Sequence, residues 1–91
     1  MTYVITERGG IEDASPKNGS AYTVDEMQDI VGGYIDIADV GSGIRVFDID
    51  GMEKGKIFNS KATAMLKQHD EDSTTLIAGN VLFCTREMIR V

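Results

Sequence analysis

One segment of the chain, residues 22–36, carries the markers of a complete helix followed by a strand. Thr23 can accept a hydrogen bond in the first turn while Glu26 reaches back to the Thr23 N–H, which is the capping-box arrangement. Apolar side chains recur at helical spacing over residues 24–31, and Gly32 follows where a helix exit needs a residue without Cβ. After the glycine the pattern changes to alternation, so the segment predicts a helix and then a strand.

The rest of the chain consists of short apolar runs separated by turn-forming residues, which is typical of a small sheet with local connections. A second helix is predicted after Asn59 or Ser60, either of which can be its N-cap, and it ends near His69. The order strand, helix, strand, strand, helix, strand predicts an α+β domain: a mostly antiparallel sheet with two short helices packed on one face. The predicted strands are residues 3–6, 34–40, 44–49 and 76–85, the last of them interrupted at Gly79-Asn80, and residues 12–20 are predicted to be the main loop.

Two of the predicted strands depart from a simple alternation of apolar and polar residues. The run Val81 to Cys84 indicates a last strand that is central or has its outer face covered, and a partner subunit is one way to cover it. In the strand 44–49 the apolar phase slips between Val46 and Phe47, which indicates a bulge or a strand covered on both faces. Because a domain of this size also has a small core, we expect a homo-oligomer.

Length and charge restrict the possible functions. The 91 residues predict a single domain, 1–91, and 15 acidic against 9 basic residues give a formal net charge of −6. This excess of acidic residues argues against electrostatic binding of nucleic acid or anionic lipid, because both carry negative charge. It fits a protein that docks on a basic surface. The alternative is an acidic surface that only keeps the chain in solution.

The single cysteine and the first residues of the chain bear on its location. Cys84 excludes an intramolecular disulfide and a multi-cysteine zinc site, and its apolar neighbours predict a buried small hydrophobe. The chain starts without a basic leader followed by a long apolar stretch, and no window is long enough to span a membrane. We therefore expect a cytoplasmic protein without membrane contact.

No set of side chains that would carry a reaction is assembled in the sequence. His69 is the only histidine, and Asp70 beside it would point in a different direction on a helix. The frame from Asp48 to Asn59 lacks the later acidic ligands of a calcium loop. The glycines at 32–33 and 41–43 lack the lysine and the spacing of nucleotide-binding loops. We predict no enzymatic activity, no cofactor and no metal site.

Four short landmarks resemble, in their order, those of the family catalogued as domain of unknown function 3846. They are residues 31–36, Asp50-Gly51, Asn59 with Ala62, and residues 77–82, so the resemblance covers roughly residues 22–85. Members of that family are small single-domain proteins seen mainly in bacteriophages and other mobile elements, with no established enzymatic activity. The resemblance therefore implies a phage origin more than a mechanism. The turn after Asp50-Gly51 is longer here than the family pattern.

We expect a non-enzymatic, phage-encoded protein that binds a host protein with a basic surface and modulates or inhibits it, with counter-defence as one such role. The predicted contact residues are acidic: Asp70, Glu71, Asp72, Asp25 and Asp29. The alternative is a small-molecule binder that sequesters a nucleotide-like ligand between subunits, at Gly33, Tyr34, Asn59, Gly79 and Asn80. Against this alternative, Asn59 is also a natural helix cap and Asn80 a natural turn residue.

Overall fold

The computed structural model describes residues 2–39, 41, 43–72 and 74–89. Within these residues the elements in chain order are β1 (Tyr3–Ile5), β2 (Ile11–Asp13), α1 (Val24–Val31), β3 (Ile35–Asp39), β4 (Ile44–Asp48), α2 (Ser60–His69), β5 (Val81–Cys84) and a short 3-10 turn (Arg86–Met88). The described strands form one antiparallel sheet in the order β2-β1-β5-β4-β3. The α+β class predicted from the sequence is confirmed.

Helix α1 begins and ends as the sequence predicts. The Thr23 hydroxyl accepts the Glu26 N–H at 3.2 Å, and Gly32 has φ 80° with its N–H donating to the Gln28 carbonyl at 2.8 Å. The second half of the predicted capping box is wrong. The Glu26 carboxylate accepts the Lys17 N–H at 2.9 Å instead, so it ties the preceding loop to the helix.

The two helices lie on opposite faces of the sheet, which corrects the prediction that they share one face. Successive residues of a strand point to opposite faces. In β4, Ile44 and Val46 belong to the core cluster under α1, whereas Phe47 belongs to the cluster that contains Ala62 and Leu66 of α2. A strand that is apolar on both sides needs a cover on both sides, and each helix supplies one of them.

Strand β5 is central, between β1 and β4, and all four of its residues are buried. Strand β5 was predicted to be central or covered on its outer face, for example by a partner subunit; helix α2 supplies that cover, so this strand does not argue for an oligomer. Strand β4 is buried along its whole length and keeps a regular register with both neighbours. The phase slip at Val46 and Phe47 therefore reflects burial on both faces and not a bulge.

Strand β2 is absent from the prediction, which assigned its second half to a loop. It forms a hairpin with β1, in which Ile5 is opposite Ile11 and the Thr6 N–H donates to the Gly10 carbonyl at 2.8 Å. The predicted last strand is also too long, because the stretch before β5 makes only an isolated bridge between Phe58 and Ala78. The observed order is strand, strand, helix, strand, strand, helix, strand.

Candidate functional site

The strongest electrostatic feature is a carboxylate inside the protein, that of Asp48 at the end of β4. Its side chain has no solvent exposure, and its Oδ2 receives salt bridges from Lys56 Nζ at 2.6 Å and from Lys54 Nζ at 2.9 Å. Its Oδ1 accepts the Asp50 N–H at 2.9 Å. Burial by itself raises the pKa of the Asp48 carboxyl, but the hydrogen bonds from the two ammonium groups and from the Asp50 N–H outweigh it and lower this pKa to about 2.

We call Asp48, Lys54 and Lys56 the lysine clasp. Lys56 connects it to α1, because its Nζ also donates to the carbonyls of Val31 at 2.8 Å and Gly32 at 3.0 Å. These carbonyls form the negative end of the helix dipole, where a cation is stabilising. The clasp therefore joins the end of α1 to the end of β4 and engages two of the chain's basic side chains.

Asn59, predicted as a cap or as a ligand-binding residue, is fully buried and engaged within the chain. Its Nδ2 donates to the carbonyls of Ile5 at 3.1 Å and Gly79 at 2.9 Å, and its Oδ1 accepts the Ala62 N–H at 3.0 Å. The amide thus caps α2 and fastens it to the sheet. It has no free donor for a ligand.

The other residues of the predicted ligand site contact neighbours within the chain or are exposed to solvent. A Cβ at Gly33 or Gly79 would run into the lysine clasp, so these glycines leave room for the clasp. The Asn80 side chain accepts the Glu7 N–H at 3.1 Å, as a turn residue does. Tyr34 is 72% exposed. Asn59, Gly33, Gly79 and Asn80 thus make contacts within the chain, and the ligand-binding alternative stays a prediction.

Acidic and basic side chains are distributed unequally between surface and interior. All 15 acidic residues lie in the described part of the chain, and Asp48 alone among them is buried. Of the basic side chains, two lie in the lysine clasp, Arg45 is buried, and Arg86 forms an ion pair with Asp39. The charges left to face a partner are therefore predominantly negative.

The predicted contact residues do not form one surface. Asp70, Glu71 and Asp72 are exposed after the end of α2, and Asp25 and Asp29 are exposed on α1. Because the two helices lie on opposite faces of the sheet, these groups face solvent on different sides of the domain. Each can act on a partner only separately.

Both edge strands of the sheet carry exposed carboxylates, which the sequence analysis missed. They are Glu12 and Asp13 on β2, and Asp36 and Asp39 on β3. An edge strand presents unpaired N–H and C=O groups to solvent, and charged side chains there oppose pairing with a like-charged strand. The sequence could not reveal this feature, because it depends on which strands end up outermost.

Exposed apolar side chains accompany the acidic ones at β3. Tyr34 and Ile37 are 72% and 41% exposed, and Ile49 is 57% exposed. The Ile49 N–H donates to the Tyr34 carbonyl at 2.9 Å, so these two residues are neighbours at the end of the β3–β4 ladder. We call Tyr34, Asp36, Ile37, Asp39 and Ile49 the β3 edge surface. On one face of this edge the exposed Tyr34 lies beside Ile49, and an aromatic side chain next to an aliphatic one is typical of an interface centre; Ile37 and Asp39 point to the opposite face.

On the opposite side of β4 from α1, Arg45 is a buried cation. It is 3% exposed, its Nε and Nη1 have no hydrogen-bond partner, and its Nη2 contacts Met65 Sδ at 3.7 Å. The guanidinium carbon lies 4.2 Å from the centre of the Phe83 ring, and this ring stacks on Tyr3 with centroids 4.9 Å apart. The sequence analysis did not single out this arginine, because no local pattern marks it.

The described residues also bear on metal binding, membrane insertion and thiol chemistry. No group of three or more His, Cys, Asp or Glu side chains there is placed to hold a metal ion. None of the described helices is long and apolar enough to cross a membrane. Cys84 is buried as predicted, and burial raises the pKa of its thiol to about 11, which favours the protonated thiol at neutral pH.

Comparisons of the chain with protein-family models, with curated proteins and with solved structures found no match. The resemblance to the domain of unknown function 3846 family therefore stays a prediction, and so does the phage origin that it implies.

Proposed function

We propose that this protein is a non-enzymatic binding protein that attaches to a basic surface of another protein. If the phage origin holds, that partner is a host factor. The observation that carries the proposal is the partition of charge: apart from Asp48, which is buried, and Asp39, which pairs with Arg86, the acidic side chains are neither buried nor in the ion pairs of the described residues. Four of the basic side chains, in contrast, are engaged within the chain or buried. Complementary charge accelerates encounter and selects the partner.

The β3 edge surface is the best candidate for the contact itself. It combines the Asp36 carboxylate, whose Oδ1 also accepts the Ile37 N–H at 2.8 Å, with the exposed side chain of Tyr34 and the backbone of an edge strand. Asp39 is already paired with Arg86 and contributes less. A basic, extended segment of a partner would satisfy all three features. The separate carboxylates at residues 70–72 act at longer range, by steering the partner.

The test uses a peptide of alternating lysine and valine as a probe of this surface. Binding is followed by fluorescence anisotropy, with the intact protein at two salt concentrations. Asp36→Lys is expected to weaken binding by about tenfold or more, and Asp25→Lys, which makes the same charge change on α1, by no more than about threefold. Equal losses in the two variants would reject the β3 edge surface, because general charge attraction would then account for the binding.

A second arm addresses steering by the acidic loop after α2. Changing Asp70, Glu71 and Asp72 together to their amides should lower the association rate and its salt dependence while the dissociation rate stays the same. Their exposure implies little effect on stability. Association that is unchanged by this triple substitution, and equally insensitive to salt before and after it, would remove the electrostatic basis of the proposal.

A further inference from the structure

The hydrogen bonds between β3 and β4 determine which backbone groups of β3 face its open edge. In an antiparallel pair, residues whose N–H and C=O point to the neighbouring strand alternate with residues whose N–H and C=O point away from it. The Ile49 N–H donates to the Tyr34 carbonyl at 2.9 Å, so Tyr34 is one of the residues that point toward β4. Ile35, Ile37 and Asp39 therefore direct their N–H and C=O groups to the open edge.

The N–H group in the middle of this edge, that of Ile37, already has an acceptor. Asp36 Oδ1 accepts it at 2.8 Å. A strand that joins a sheet edge needs the outward N–H groups, because each of them donates to a carbonyl of the added strand. At Ile37 that carbonyl would meet a carboxylate oxygen that already holds the hydrogen bond and carries negative charge. Asp36 therefore closes the middle of the edge to a strand that offers only its backbone.

A basic side chain on the incoming strand removes this obstacle. In an antiparallel addition, the residue opposite Ile37 exchanges hydrogen bonds with it, whereas the residue opposite Asp36 forms a pair without hydrogen bonds, in which side chains approach most closely. A lysine or arginine at this position lies beside the Asp36 carboxylate, which is exposed and can turn toward it. The Ile37 N–H then passes from Asp36 Oδ1 to the carbonyl of the partner.

We propose that Asp36 is a gate on the β3 edge, which admits an extended segment when that segment carries a cation opposite Asp36. The gate rests on the proposed attachment at the β3 edge surface, and it specifies the partner. Lysine or arginine stands in register with Asp36, and an apolar side chain stands opposite Ile37, which is 41% exposed on the other face. A neutral segment would break the hydrogen bond between Asp36 and Ile37 without forming an ion pair in return. The gate therefore selects by excluding wrong partners as well as by attracting the right one.

Two variants of Asp36 separate its hydrogen bond from its charge. Asp36→Asn keeps a side-chain oxygen that can accept the Ile37 N–H, Asp36→Ala has no such acceptor, and both remove the same single charge. The probe is a peptide of alternating threonine and valine, as long as the lysine-valine peptide but without charged side chains. Its binding to the intact protein is followed by fluorescence anisotropy.

Asp36→Ala should bind this neutral peptide about fivefold or more tighter than Asp36→Asn does, because only Asp36→Ala leaves the Ile37 N–H open. Asp36→Asn should bind it as weakly as the wild type. Equal affinities of the two variants, or no binding of the neutral peptide to Asp36→Ala, would overturn the proposal.

The matched control is the same pair of substitutions on the other edge strand, at Asp13. Asp13 is exposed on β2, and none of the hydrogen bonds found among the described residues involves its carboxylate. Asp13→Asn and Asp13→Ala should therefore bind the neutral peptide equally. A difference as large as that at Asp36 would assign the effect to asparagine itself and reject the gate.

Amide hydrogen exchange measured by NMR tests the gate without any peptide. The Ile37 amide should exchange about threefold or more faster in Asp36→Ala than in Asp36→Asn, and equal rates would show that the side chain at position 36 does not hold this N–H. The lysine-valine peptide keeps the two proposals apart. If the wild type binds it through the β3 edge surface but the two Asp36 variants bind the neutral peptide equally, the gate is wrong and the proposed function stands. Equal losses in Asp36→Lys and Asp25→Lys would instead remove the surface on which the gate rests.

Discussion

Replacing Asp48 with asparagine isolates the charge of the lysine clasp. Asparagine keeps the shape of the side chain and an acceptor for the Asp50 N–H, but leaves the two ammonium groups without a carboxylate. The pKa of Asp48 is about 2, against an ordinary value of 3.8. At about 1.4 kcal/mol per pKa unit this corresponds to about 2 kcal/mol in the free energy of unfolding, with some reduction because the lysines are partly solvated.

The stability difference between wild type and Asp48→Asn depends on pH in a definite direction. The pKa of Asp48 is lower in the folded chain than in the unfolded one. Its contribution to the free energy of unfolding is therefore fully present at pH values above its pKa in the unfolded chain, and is lost as the pH falls toward about 2. The difference in unfolding free energy between wild type and Asp48→Asn should therefore be constant from neutral pH down to about 5, and should shrink between about 4 and about 2.

Urea unfolding followed by circular dichroism measures this difference. Glu53→Gln is the matched control, because it removes one carboxylate from an exposed position in the same turn. We expect Asp48→Asn to lower the free energy of unfolding by about 2 kcal/mol at pH 7, and Glu53→Gln by less than about 0.5 kcal/mol. Equal midpoints for the two variants at pH 7, or a wild-type advantage over Asp48→Asn that persists at pH 2, would refute the reasoning.

Three further substitutions test the packing, each by urea unfolding. Met27→Asp should cost at least about 2 kcal/mol, because it places an unpaired charge in the core under α1, and a near-neutral effect would contradict that burial. Asn59→Ala should cost about 2–4 kcal/mol, since it removes the α2 cap and leaves buried carbonyls unpaired. Gly43→Ala should cost about 1–3 kcal/mol through overlap with the Phe83 ring and the Cys84 carbonyl, whereas unchanged stability would show that the ring can shift freely.

The features that the sequence predicted correctly are local ones. The bounds of α1, the cap at Thr23 and the left-handed Gly32 depend on residues within one or two turns of each other. The same holds for Asn59 as the cap of α2. A period of 3.6 residues and the chemistry of a helix end are visible in any sequence window that contains them.

The features that were not predicted from the sequence depend on contacts between residues that are far apart along the chain. A strand that is apolar on both sides was identified, but whether a second helix or a second subunit covers it is decided by the path of the whole chain. The lysine clasp joins Asp48 to residues six and eight positions later. It contacts the end of α1 because Lys56 Nζ donates to the Val31 carbonyl, which lies far away in the sequence. The pairing of Arg45 with Phe83 likewise requires two strands that are far apart in the sequence to be neighbours.

The carboxylates on the two edge strands give this protein two opposite responses to salt. The proposed attachment to a basic partner should weaken as ions screen the attraction. Contact between the edges of two identical molecules should strengthen under the same conditions, because the repulsion that separates Glu12, Asp13, Asp36 and Asp39 of one copy from those of another is screened as well. Concentrated solutions at high ionic strength should therefore favour sheet-to-sheet aggregation, and the mixed complex should prevail in dilute, low-salt solutions.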